Sequence, residues 1–199
     1  MAWGNAGSTT LTSTGDNIAV SSLTSNTFFQ TMSSIIDSAW TFHDGRLNSD
    51  TGTNYGYRYR DDASYGTDGT AAGANKILFG TGGGETQIFS VSYIANISGE
   101  EKLVITPNSV NQAVEGAGGA LSRRESVSKW TGTAVINSIT AYNSNTPTGG
   151  YAVDSNLTIL GDNITAAAVV ATKVQDGAVY YETDTNKSYV LSSSVWTEL

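Results

Sequence analysis

Chemistry needs groups that converge, and the first candidates lie in HDGRLNSDTGTNYGYRYRDD, His43 to Asp62. Asp44, Asn48 and Asp50 crowd one short stretch with oxygen donors, the ligand type that Ca2+ takes. The stretch lacks the spaced oxygens and closing Glu of an EF-hand. An Asn/Asp/Gly turn between strands accounts for it better, so no metal and no cofactor are expected. His43 is the chain's one histidine, and there is no cysteine. With neither a thiol nor a second imidazole there is no zinc ligand set, and a strand histidine satisfied by a neighbour is expected. In NYGYRYRDD, Tyr55, Tyr57 and Tyr59 share one face of an extended chain, with Arg58 and Arg60 on the other. Such a tyrosine row suits stacking on sugars or bases, or contact with another protein. Equally, it suits a strand whose rings pack in the core with hydroxyls at its edge.

Two further stretches are rich in glycine. GTGGGE (Gly80–Glu85) has no following Lys-Ser/Thr and opens no helix, so it reads as a mobile loop and not as a phosphate loop. GAGGALSRRES (Gly116–Ser126) sets Arg123 beside Arg124 in an acidic chain. Adjacent guanidinium groups need carboxylates, supplied by Glu115 and Glu125 nearby or by a neighbouring subunit. With one histidine and no GxSxG, a hydrolase triad is poorly supported. The 18 acidic residues are scattered through turns, so no pair stands out for glycoside hydrolysis. The chain is expected not to be an enzyme.

Composition narrows the partners. The formal net charge is −8, and the ten Lys and Arg form no basic run, which argues against gripping phosphates. No stretch approaches eighteen apolar residues, so no membrane span is expected. MAWGNAGSTTLTSTGDN lacks the basic start and apolar run of a secretory signal. The expectation is a chain used without that route, or exported as part of something larger. Four Asn-X-Ser/Thr sites, at Asn96, Asn156, Asn163 and Asn186, are what chance gives in a chain this rich in Asn, Ser and Thr.

The elements that would position these groups are strands. The 22 glycines against 2 prolines fit an all-β protein with many turns. In QIFSVSYIANI, Ile88, Ser90, Ser92, Ile94 and Asn96 point one way, and Phe89, Val91, Tyr93 and Ala95 the other. EKLVITP, AVINSITAYN and NLTILGD alternate likewise. TFFQTMSSIIDSAWTF (Thr27–Phe42) could be drawn as a helix, with Phe28, Met32 and Ile35 on one side. Its Ser, Thr, Ile, Phe and Trp content favours a strand. A short helical turn is considered near Ser122–Ser126, and TAAAVVATKV is ambiguous. Short strands at close spacing, split by Gly, Asn, Asp, Ser and Thr, predict an antiparallel jelly roll or β-sandwich over residues 1–162. Residues 163–199 would supply a small-residue connector and a C-terminal β-hairpin or three-strand meander, with turns at TDTN and SSS. Val179 and Tyr181 share a face of its first strand, and Tyr189 and Leu191 a face of its second. In its third strand Trp196 lies opposite Val195, Thr197 and Leu199. A ribbon this small needs a surface to lean on.

GRLNSDTGTNYGYRYRDD, FSVSYIANISGEEKLVI, GAGGALSRRESVSKW and GGYAVDSNLTILG together resemble jelly-roll structural proteins of tailed phages and related viruses, many of them marine. DGAVYYETDTNKSYVLSSSVWTEL resembles a short β element common at the ends of phage structural proteins. The resemblance covers most of the chain from about residue 9 and brings no active-site residues. It implies a virion component, such as a capsid decoration, head-fibre or tail-associated protein. Such a protein binds others like the major capsid protein and is frequently a trimer. The interface candidates are then Tyr55, Tyr57, Tyr59, Arg123, Arg124, Trp130, Tyr181, Tyr189 and Trp196. The alternative is a carbohydrate-binding attachment module for surface glycans, which would show Tyr55, Tyr57, Tyr59, Trp40 or Trp130 exposed on one concave face.

Overall fold

The structure, a computed structural model, describes residues 3–38, 41–61, 67–80, 87–111, 121–145, 149–162, 176–182, 186–193 and 195–199. The chain divides into two units, Trp3–Asp162 and residues 163–199 with 1–2. The first holds β1 (Gly4–Thr10), β2 (Asn17–Val20), β3 (Phe28–Ile36), β4 (Asp44–Leu47), β5 (Tyr55–Asp61) and β6 (Thr67–Ala74). It continues with β7 (Ile77–Leu78), β8 (Gln87–Ala95), β9 (Lys102–Asn111), β10 (Ser122–Trp130), β11 (Ile139–Tyr142) and β12 (Asn156–Gly161). No helix occurs among the described residues.

These strands form two antiparallel sheets. One has eight strands in the order β1-β12-β3-β8-β9-β10-β5-β6, and the other has four in the order β2-β11-β4-β7. Both contribute to one hydrophobic core. Phe29, Ile35, Ile88, Ile94, Val104, Leu157 and Ile159 come from the larger sheet, and Ile18, Leu47, Ile77 and Ala141 from the smaller. Such sharing of apolar faces is the defining feature of a β-sandwich.

Thr27–Phe42 contains strand β3, as its composition predicts; Phe28 and Met32 face outward and Ile35 lies in the core. The helical turn considered near Ser122–Ser126 is instead the start of β10, which pairs on both sides with β9 and β5. Ser122, Ser126 and Ser128 alternate with Arg123, Val127 and Lys129 there, and a helix would break that two-residue rhythm. TAAAVVATKV, the connector of residues 163–173, residues 81–86 and residues 112–120 lie outside the described residues, as does Trp40.

The buried side of the large sheet is unusually hydroxylated. Thr31, Ser33, Ser90, Ser92, Thr106, Ser126 and Ser128 are all buried. Unpaired, such groups would each cost about 1–3 kcal/mol, so their partners matter. Ser33 Oγ and Ser90 Oγ lie 2.6 Å apart, Ser92 Oγ and Thr106 Oγ1 2.8 Å, and Ser126 Oγ donates to the Leu78 carbonyl at 3.0 Å.

The second unit contains a three-stranded antiparallel sheet, β13 (Val179–Glu182), β14 (Lys187–Ser192) and β15 (Val195–Glu198), in that order. Asn186 and Ser193 adopt left-handed φ values of 57° and 52° at the two reversals, a conformation that Asn accepts more readily than most residues.

Candidate functional site

The alternation of β8 fixes what the large sheet shows to solvent. Because Ile88, Ser90, Ser92 and Ile94 point inward, Phe89 and Tyr93 are exposed. β9 does the same with Leu103 and Ile105, each 58% exposed, and β10 with Val127. Register joins these into a band: Tyr93 pairs with Ile105, and Ile105 with Val127. Ile36 on β3 is exposed as well. Scattered surface apolar residues need no explanation, whereas a contiguous band of this size marks an interaction surface.

The band runs into charged residues on its β10–β5–β6 side. Val127 pairs with Arg58, and Arg60 with Glu125 and Asp68. An open groove of about 520 Å3 lies there, lined by Arg58, Arg60, Asp68, Ile105, Pro107 and Val127 among others. Arg123 lies 3.9 Å from Glu125, and Lys129 makes a 2.9 Å ion pair with Glu101. Both pairs are largely exposed, so each adds at most about 1 kcal/mol.

The candidates read from sequence fall in different places. Asp44, Asn48 and Asp50 do not converge, because each serves a different internal partner. Asp44 is buried, accepts from Lys76 Nζ at 2.8 Å and also from Ser144 Oγ. Burial raises its pKa, opposed by the Lys76 charge. Asn48, at φ 52°, bonds the Val135 carbonyl and the Asn137 and Ser138 amides. Asp50 accepts from Trp130 Nε1 at 2.7 Å, Asn54 Nδ2 at 2.9 Å and the Gly52 amide at 2.7 Å. Desolvation there is outweighed by these donors, and its pKa is lowered. Among the described residues no three His, Cys, Asp or Glu side chains gather as a metal site would require.

Tyr55 and Trp130 are core residues, not surface ones. They are 2% and 5% exposed, stacked with centroids 6.4 Å apart. The Tyr55 hydroxyl lies within 3.2 Å of Leu47 and Asp50 backbone groups. Tyr57 and Tyr59 remain partly exposed on that face, 6.3 Å apart. Tyr59 packs against β6 at Gly69, where any Cβ would collide with its ring. Arg124 stacks over Tyr59 at 4.3 Å and binds Asp61 at 2.6 Å. A carboxylate partner of Arg124 thus comes from the neighbouring strand, while Arg123 lies near Glu125 as the sequence allowed. Sequence reasoning missed Asp61 because the contact spans 63 positions; Glu115 lies outside the described residues.

His43 is completely buried, as expected of a satisfied histidine. Its Nε2 lies 2.7 Å from Ser33 Oγ and its Nδ1 3.3 Å from the Tyr151 hydroxyl. That hydroxyl donates to the Phe42 carbonyl, so the network assigns the ring proton to Nδ1. Desolvation lowers the His43 pKa to about 3. A serine on a neutral imidazole has the form of an activated nucleophile, but Ser33 and His43 are 2% and 0% exposed.

In the C-terminal sheet the register keeps the alternation read within each strand and adds which faces combine across strands. Tyr189 and Trp196 share their face with Tyr180, not with Tyr181. Tyr180 pairs with Tyr189 and lies 6.3 Å from its ring and 6.1 Å from that of Trp196. Leu191, opposite Trp196, is buried. Tyr181 lies on the other face, where its hydroxyl bonds Asn186 Oδ1. That face also exposes Val179, Val195 and Leu199. Both faces of this sheet therefore carry exposed apolar side chains.

No family model matches the chain, and neither curated proteins nor solved structures show a significant match to it. With no relative to lend a function, the geometry carries the argument. The missed signal lies in QIFSVSYIANI and EKLVITP, where both faces of each strand hold large apolar residues. No helix among the described residues is long and apolar enough to cross a membrane.

Proposed function

We propose that this protein is a non-enzymatic structural component of a virion. In this reading it is a capsid decoration, head-fibre or tail-associated protein of a tailed phage or related virus. It binds the particle shell and further copies of itself. The carrying observation is the outward apolar band of Phe89, Tyr93, Leu103, Ile105 and Val127. These side chains are about half exposed, so each forfeits roughly half of the about 1.5–3 kcal/mol that full burial gives, which favours a permanent protein cover. The ribbon of β13–β15 supports the same reading, since one small sheet with apolar side chains on both faces gains from being covered. The phage-like segments fit here too, and we take the two sheets, with β8–β9–β10 consecutive and β1-β12-β3 brought together by long crossovers, as a jelly roll.

Mass spectrometry and cryo-electron microscopy of purified source particles test the proposal. The chain is expected at a regular, repeated position, and its absence from particles sinks the reading. A chain lacking residues 176–199 is expected to lose incorporation.

A glycan-binding attachment module is the second reading, and the partly exposed pair Tyr57 and Tyr59 is the observation that favours it. Burial of Tyr55 and Trp130 removes two of its aromatics. Glycan-array binding abolished by Tyr57→Ala and Tyr59→Ala would favour it over assembly alone.

A further inference from the structure

We propose that the cover of the outward face is a second copy of this chain, packed sheet against sheet on β3, β8, β9 and β10. The inference rests on the self-association within the function proposed above and names the surface that performs it.

Area is the first argument. The four strands are nine or ten residues long. At about 3.3 Å per residue and 4.8 Å between strands, they present a flat face of roughly 600 Å2. Side-chain relief enlarges this towards the roughly 800 Å2 that each partner buries in a standard interface. A single bound peptide strand would cover only a strip of it. Another sheet covers it whole, at about 10 Å separation with interdigitating side chains. Tyr93, Ile105 and Val127 form one cross-strand row with Phe89 and Leu103 on either side of it, as in the inner face of a sandwich.

Charge selects the same chain as partner. The protein carries 18 acidic against 10 basic side chains, yet this face is not acidic. On the four strands its outward charges are Arg123, Glu125 and Lys129, with Glu101 adjoining β9, two of each sign paired as Arg123–Glu125 and Lys129–Glu101. Two copies of an acidic chain repel least where their facing surfaces are locally balanced. A two-fold contact also presents both signs from each side, so that each copy supplies what the other needs. A polyanion would require cations in excess, and here they are matched by neighbouring carboxylates.

Sedimentation velocity of the full chain across micromolar concentrations is the test, joined to photo-cross-linking from p-benzoylphenylalanine at position 93. The wild type is expected to associate, and the Tyr93→p-benzoylphenylalanine chain to cross-link to peptides spanning 102–111 or 122–130 of another copy. The pair Ile105→Lys and Val127→Glu is expected to sediment as a monomer at every concentration, with unchanged circular dichroism and melting temperature because neither side chain is in the core. A monomeric wild type, or variants that associate as before, would overturn the inference. A chain that is monomeric alone but whose position 93 cross-links to a different particle protein overturns the homotypic contact and leaves the virion role standing. A self-associating chain that is missing from particles does the reverse.

Discussion

At the residue scale, Asp44 shows how this sandwich tolerates a buried charge. Its carboxylate is 1% exposed and is held by Lys76 and Ser144. Removing one partner of such a pair strands the other, typically at about 3–5 kcal/mol, whereas replacing both is far milder. Lys76→Met is therefore expected to lower the urea midpoint sharply, with stability falling by about 3 kcal/mol. Adding Asp44→Leu should recover most of that loss. A double variant no more stable than Lys76→Met would show that the pair does more than neutralise itself. Lys102 solves the same problem with backbone: its Nζ donates to the carbonyls of Ile97 and Glu100, both at 2.6 Å, and of Thr133 at 3.1 Å. Burial lowers its pKa, but three oxygens receive its three protons.

At the element scale, β8 and β9 place buried hydroxyls between core apolar residues on their inner faces and large apolar residues on their outer faces. The inner pair Ser92–Thr106 tests what this costs. Their hydroxyls bond only across the strand, at 2.8 Å, among the contacts seen. Ser92→Ala alone leaves a buried hydroxyl without that partner and is expected to cost about 1–3 kcal/mol. The double change with Thr106→Val is expected to cost less than the sum of the singles, as a double-mutant cycle in urea would measure. Strict additivity would mean that the two hydroxyls do not support each other. The elements were largely legible in sequence, because alternation is local. β3 and the three strands of the ribbon follow from it. The start of β10 did not, because SRRES carries no apolar rhythm of its own and is strand only through its two neighbours.

At the scale of the whole molecule, pH reports on the core through its buried titratable groups, His43 first. His43, the chain's only histidine, has its pKa lowered to about 3 by burial. An unfolded imidazole titrates near 6.5. Below that pH the unfolded chain takes up a proton that the folded one refuses, so this contribution is complete above about 6.5 and is lost as pH falls towards 3. The slope is about 1.4 kcal/mol per pH unit. Asp44 acts in the opposite sense: its raised pKa penalises the folded state when ionised, and acid relieves that penalty. Comparing wild type with His43→Gln in urea at pH 7, 6 and 5 isolates the histidine. The wild type should lose stability relative to the variant below pH 6. Parallel curves, or a ring that titrates near 6.5 in the folded state by NMR, would contradict the assignment.

The sequence by itself determined the all-β class, the two-residue alternation, and a lone histidine with nothing beside it in the chain for a zinc site. Those properties are local: each residue's type and its neighbours decide them. Tertiary structure decided which face of each strand was inside. Phe89, Val91 and Tyr93 are more apolar than Ser90 and Ser92, and a reading by hydrophobicity alone would bury them. Instead the serines face in, where Ser33 and Thr106 from neighbouring strands and His43 just before β4 satisfy their hydroxyls. The same long-range pairing took Tyr55 and Trp130 into the core and gave Arg124 to Asp61. A strand carries both faces in its sequence, but only the second sheet laid against it determines which one meets water.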